Sequence, residues 1–166
     1  MVLYSYKKGD EKISTLKEAG KLLFVVIILF LCENATRKLI VLNIFIRCCL
    51  ITIIHECGHI FTGALIRCPQ LEIGFYIKKR ILMGFSLADL KKVSYKKQIC
   101  FYAGGIVINC FLFFLSIILK KIHLSVWFGK YSLFEILINV VPFGETDGKK
   151  IAFCIREYCK GLSSIM

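Results

Sequence analysis

The sequence predicts an α-helical integral membrane protein with about four transmembrane segments, a three-helix core and a small β-hairpin between the second and third segments. Three observations predict it. Hydrophobic residues make up 57% of the 166 residues and the mean hydropathy is +0.71, more apolar surface than a soluble domain of this size can hide. The apolar residues fall into four runs. The net charge of +12 sits beside those runs, where membrane proteins gather Lys and Arg. Nucleic-acid binding is the other use of a basic chain, but no such motif occurs, so nucleic acid is not expected as a partner.

Residues 1–20 are polar and basic, with Lys7, Lys8, Lys12 and Lys17, and read as a cytoplasmic N-terminal segment. The first apolar run, about Lys21 to Cys32, lacks a small-residue cleavage site and is expected to stay in the mature protein. It is at the short limit for a span. The second run extends from about Leu39 to Ile66. After it, Leu71–Ile77 and Ile81–Leu87 are strand-like runs separated by Lys78-Lys79-Arg80, the pattern of a β-hairpin. The third run covers about Ile99 to Leu119. The fourth, about Leu124 to Phe143, is less purely apolar and carries Lys130 and Glu135. Residues 21–148 thus form one membrane-embedded domain. The basic tail, 149–166, suits an interfacial helix with Lys149, Lys150, Arg156 and Lys160 toward headgroups.

With four spans, seventeen Lys and Arg fall on the side of the N-terminus, the 67–97 loop and the tail, against five on the other. That bias places both termini in the cytoplasm. The nine cysteines include no C-x-x-C pair and their number is odd, so they are expected to be reduced and to act as small hydrophobes.

The chemistry concentrates in the second run. His55-Glu56-Cys57-Gly58-His59 is an H-E-x-x-H motif. On a helix, His55 and His59 lie on one face and can grip one ion, and Glu56 can reach a water on that ion. Two neutral imidazoles suit Zn2+. The best third ligand is Asp147, in Asn139-Val-Val-Pro142-Phe-Gly-Glu-Thr-Asp147-Gly148, because an acid next to an apolar segment needs a partner. Pro142 lacks an N–H and would break a helix ladder, freeing a carbonyl. Asn139 could pair with that group or bind a substrate backbone. Gly148 permits a close approach or a turn. Gly104-Gly105 reads as close helix packing, and Asn109 as an interhelical hydrogen bonder or a substrate contact. Arg47 reads as a snorkelling or pairing residue outside the site.

H-E-x-x-H in an apolar segment followed by N-x-x-P-x-x-x-x-D-G in a later one resembles the site-2 protease family of intramembrane zinc metalloproteases. Ala103-Gly104-Gly105-Ile106-Val107-Ile108-Asn109 is similar to the family's A-G-P-x-x-N segment, with Gly105 in place of proline and Asn109 one residue later. The resemblance covers roughly Leu39 to Lys150. It implies zinc held by His55, His59 and Asp147, Glu56 as general base, and a supporting role for Asn139, Pro142, Gly148 and Asn109. It also implies a membrane-associated position for the 71–87 hairpin. The implied activity is hydrolysis of peptide bonds in or near transmembrane segments of other proteins. Expected partners are a membrane protein or peptide substrate, the lipid bilayer and a regulatory membrane protein. The expected place is the bacterial cytoplasmic membrane. The competing readings are a catalytically idle adaptor of the same fold that binds membrane segments, and a membrane metal transporter or sensor.

Overall fold

A computed structural model describes residues 2–7, 24, 27–29, 31–32, 40–68, 70–78, 81–91, 93–119 and 123–163. The chain is mostly helical, with one small antiparallel sheet. The elements in order are β1 (Val2–Lys7), α1 (Ile40–Leu65), β2 (Gln70–Lys78), β3 (Ile81–Ala88), α2 (Tyr95–Ile118), α3 (His123–Val140) and α4 (Asp147–Ser163).

Two helices among the described residues are long and apolar enough to cross a membrane, α1 over Leu42–Leu65 and α2 over Tyr95–Ile118. Each span has 24 residues, about 36 Å at 1.5 Å per residue, which exceeds the hydrocarbon thickness of about 30 Å. Only 22% of the apolar window of α2 is buried. Phe111, Phe114 and Ile118 of α2 stand exposed, as do Phe134 and Leu137 of α3. The core helix of a soluble protein would bury such side chains; exposed apolar surface of this kind marks contact with a membrane or another protein. The fourth apolar run forms α3, only 18 residues long and carrying Lys130 and Glu135, and it does not qualify as a span by the same measure. The described residues of the first run, Phe24, Ile27, Ile28, Leu29, Leu31 and Cys32, are helical; the rest of that run lies outside the described residues.

Helices α1 and α2 cross at glycine. A Cβ on Gly58 would collide with the Gly104 carbonyl oxygen, and one on Gly104 with Thr62 Oγ1. Without those side chains the two backbones touch, as small residues allow in apolar helix pairs. Thr62 Oγ1 can donate to its own helix at Gly58 O and His59 O, both 3.0 Å away, or across the crossing to Phe101 O at 3.3 Å.

Helix α1 ends in a Schellman turn. Arg67 takes φ 60, Cys68 N donates to Gly63 O at 2.9 Å and Arg67 N to Ala64 O at 3.1 Å. The turn sends the chain back into β2, where Leu71 and Ile73 are buried, alternate residues on one face. Leu71 packs with Cys68 and Phe101, which fastens the sheet to α1 and α2.

The expected hairpin is present, with Leu71 opposite Ala88 and Lys78 opposite Ile81. It is one part of a three-stranded sheet in the order β1-β2-β3. The third strand, Val2–Lys7, comes from the basic N-terminal segment, for which no strand is expected. Tyr4 pairs with Ile73 and Lys7 with Gln70. This leaves the outer side of β3 as a free edge among the described strands.

The basic tail is helical, as expected, but the helix begins earlier, at Asp147. Pro142 lies two residues beyond the end of α3, so it stops that helix instead of breaking its ladder. Gly144 at φ 68 turns the chain. Thr146 starts the next helix: its Oγ1 accepts from Lys149 N at 3.4 Å, and its hydroxyl reaches Val141 O and Phe143 O. None of the nine cysteines forms a disulfide.

Candidate metal centre

His55 and His59 lie one turn apart on α1 and both are buried. Asp147 is the first residue of α4 and is also buried. Three of their atoms converge. Asp147 Oδ2 lies 3.0 Å from His55 Nε2 and 3.0 Å from His59 Nε2, and the two Nε2 atoms are 3.2 Å apart. A tetrahedral ion with bonds of about 2.0–2.1 Å sets its ligand atoms about 3.3 Å apart, so this triangle is close to the size one ion requires. The group could hold a metal ion.

The rings are held in the form a ligand needs. His59 Nδ1 donates to Phe101 O at 2.8 Å, which leaves Nε2 of the neutral ring with a bare lone pair. Asn109 Nδ2 stands 2.9 Å from His55 Nδ1, while Asn109 Oδ1 is buried without a partner. A half-turn of this amide lets Oδ1 accept from His55 Nδ1–H and gives the orphaned oxygen a partner. It also bares His55 Nε2. The arrangement that satisfies the oxygen is therefore the one that suits a metal. Replacing Asn109 by alanine is expected to weaken metal affinity by about 10–100-fold, read by competition with a chromophoric chelator. Unchanged affinity would assign Asn109 to helix packing alone.

Burial works to raise the Asp147 carboxyl, but in the metal-free centre, where Nε2 of His55 and His59 can carry a proton toward it, those contacts outweigh burial and hold the group below the ordinary carboxylate range. Its other oxygen, Oδ1, faces Lys150 Nζ at 3.7 Å, and that ammonium lies over the Tyr102 ring. Asp147 also sits at the positive end of α4, where a carboxylate is favoured.

Gly105 forms the wall of the centre. A Cβ there would lie 2.5 Å from His55 Nε2 and 2.6 Å from His59 Nε2. Gly104 serves the packing expected of the pair, whereas Gly105 leaves room for the imidazoles. Gly148 makes the close approach expected of it, since a Cβ would strike Val140 O and lie 2.9 Å from Asn139 O. Pro142 and Gly148 line a shallow apolar groove of about 340 Å3, with Ile106, Val140 and Ile151.

Glu56 is half-buried and lies under β3. A Cβ on Gly84 would be 3.1 Å from Glu56 Cγ and 2.6 Å from Thr52 Cγ2. Asn139 donates from Nδ2 to Glu135 O at 3.1 Å and to Glu135 Oε2 at 3.0 Å. Thr52 Oγ1 donates to Glu135 Oε1 at 3.1 Å. In the sequence Glu135 stands out only as a charge in an apolar run, and that placement is the signal that it has a partner. Thr52 and the Phe101 carbonyl carried no signal. Arg47 lies away from the centre, with its guanidinium over the Trp127 ring at 4.9 Å.

The centre thus has two imidazoles and one carboxylate as a buried donor set, one acidic neighbour on the same helix and one strand passing over that acid. Comparison with protein families, curated proteins and solved structures finds no match for this chain.

Proposed function

We propose that the chain is an intramembrane zinc metalloprotease of the site-2 protease type, which hydrolyses peptide bonds in or near transmembrane segments of other proteins. The observation that carries this reading is the buried His55–His59–Asp147 triangle with Glu56 beside it, on a helix long and apolar enough to cross a membrane. Two nitrogens and one carboxylate oxygen suit Zn2+ and leave a fourth position open. His55 and His59 would hold it through Nε2 and Asp147 through Oδ2. Zinc, when bound, would supply Lewis acidity toward the attacking water and the scissile carbonyl.

The chain's own residues do the rest. A carboxylate oxygen of Glu56 takes a proton from the attacking water and returns it to the leaving amine nitrogen. A regular helix hides its carbonyls, so the substrate segment must be extended where it is cut. The outer edge of β3 offers main-chain pairing for such a segment, and Gly84 brings that strand against Glu56. In this reading α3 and the 21–32 run complete a four-span protein in the bacterial cytoplasmic membrane, with both termini cytoplasmic by their Lys and Arg excess. The basic face of α4 lies at the headgroups. A regulatory membrane partner or substrate supply controls turnover.

Protein purified in mild detergent is expected to contain stoichiometric zinc. It is expected to cleave at least one member of a panel of tagged membrane segments, to lose that activity with a chelator and to regain it with zinc. Absence of zinc from intact protein would overturn the metal reading. Zinc without cleavage of any segment would favour the idle adaptor.

A further inference from the structure

We infer that Glu135 is a positioning residue: it fixes the Asn139 amide so that its carbonyl arm is left to accept a backbone N–H of an extended substrate segment. This rests on the peptidase reading of the site. The Asn139 amino group donates to both Glu135 O and Glu135 Oε2. That commits the Nδ2 arm and leaves Oδ1 with no donor among the described residues. The other carboxylate oxygen of Glu135 accepts from Thr52 Oγ1. Thr52 lies one turn before Glu56 on α1, and both side chains meet β3 at Gly84. The Thr52–Glu135–Asn139 chain therefore ties the amide to the Glu56 side of the site, where β3 passes.

The chemistry of the pair sets the polarity. A carboxylate has only acceptors, so whichever arm of Asn139 meets it must be the donor. A glutamine at 135 would present an amide of its own and leave only the residue 135 carbonyl to hold the NH2 arm, so Asn139 could invert more readily and turn its NH2 outward. Two further features need this explanation. A carboxylate inside an apolar run is costly without a task. A threonine hydroxyl in an apolar helix ordinarily bonds back to its own helix carbonyl, yet Thr52 reaches across to Glu135.

The test uses full-length zinc-loaded protein and three probes: a peptidyl hydroxamate, a set of its analogues each N-methylated at one backbone amide, and acetohydroxamate. In the wild type, one N-methylated position is expected to bind about tenfold more weakly, the scale of one lost hydrogen bond. In Glu135→Gln that sensitivity falls, because only the residue 135 carbonyl still holds the NH2 arm, while acetohydroxamate affinity and zinc content stay at wild-type values. The pair Glu135→Gln with Asn139→Asp conserves charge and offers an accepting oxygen again, so it regains the sensitivity. Undiminished sensitivity in Glu135→Gln overturns the inference, and so does parallel loss of zinc or acetohydroxamate binding, which marks a structural role. A wild type with no sensitive position also overturns it. If Glu135→Gln alone fails to fold, the charge-conserving pair is compared with Asn139→Ala: the pair keeps the sensitivity and Asn139→Ala loses it, and loss in both overturns the inference. Failure of the peptidase reading shows separately, as folded zinc-loaded protein that binds these probes with the same pattern and cleaves no segment.

Discussion

The Glu56→Gln protein is expected to hold as much zinc as the wild type and to cleave membrane segments about 10²–10⁴-fold more slowly, the usual contribution of a positioned general base. Glutamine matches glutamate in shape, so the packing of residue 56 under Gly84 is preserved. The three converging ligand atoms belong to His55, His59 and Asp147, so the metal should stay. What is lost is an oxygen able to take a proton at neutral pH. Co-expression of tagged segments with each protein, followed by zinc analysis of both, measures the two effects separately. Full turnover by Glu56→Gln would move the base elsewhere. Loss of zinc would make Glu56 a ligand and redraw the centre.

The parts of this site that were legible in the sequence are those whose geometry is local or whose cost is visible. His55 and His59 are one helical turn apart, so four residues of spacing fix their common face. Asp147 and Glu135 announce themselves as acids within or beside apolar runs, where an unpartnered carboxylate is expensive. The hairpin followed from alternation and a central polar break. The parts that were hidden depend on contacts between distant segments. Strand β1 is short, and its partner Ile73 is far along the chain from Tyr4, so nothing local marks the pairing. The end of α3 at Val140 turned the expected kink at Pro142 into a stop and placed Asp147 on a new helix. Phe101 contributes a backbone oxygen, which no side-chain pattern reveals. Gly105 is the strongest case, because a missing side chain shows its purpose only through what would occupy the same space.

That purpose gives a second large effect. Gly105→Ala is expected to lower metal affinity by more than the Asn109 change and to abolish cleavage with it. The added methyl would lie 2.5 Å from His55 Cε1 and Nε2 and 2.6 Å from His59 Nε2, inside the contact distance of either ring. Neither ring has an easy retreat. His59 is tied to Phe101 O, His55 faces Asn109, and both approach Asp147. Helix α2 cannot back away without parting from α1 at Gly58 and Gly104, where the backbones already touch. The methyl must therefore displace an imidazole from the ligand triangle or open the helix crossing, at an overpacking cost of about 1–3 kcal/mol. Gly161→Ala is the control, since nothing among the described residues lies within 4 Å of a Cβ there, and it should leave metal content and turnover unchanged. Metal analysis and thermal unfolding in detergent, with and without chelator, separate the two routes. A displaced ring removes the metal and leaves the chelator-treated protein near wild-type stability, whereas an opened crossing destabilises the protein in both states. A Gly105→Ala protein with full zinc and normal turnover would show that Gly105 is not the wall of the centre.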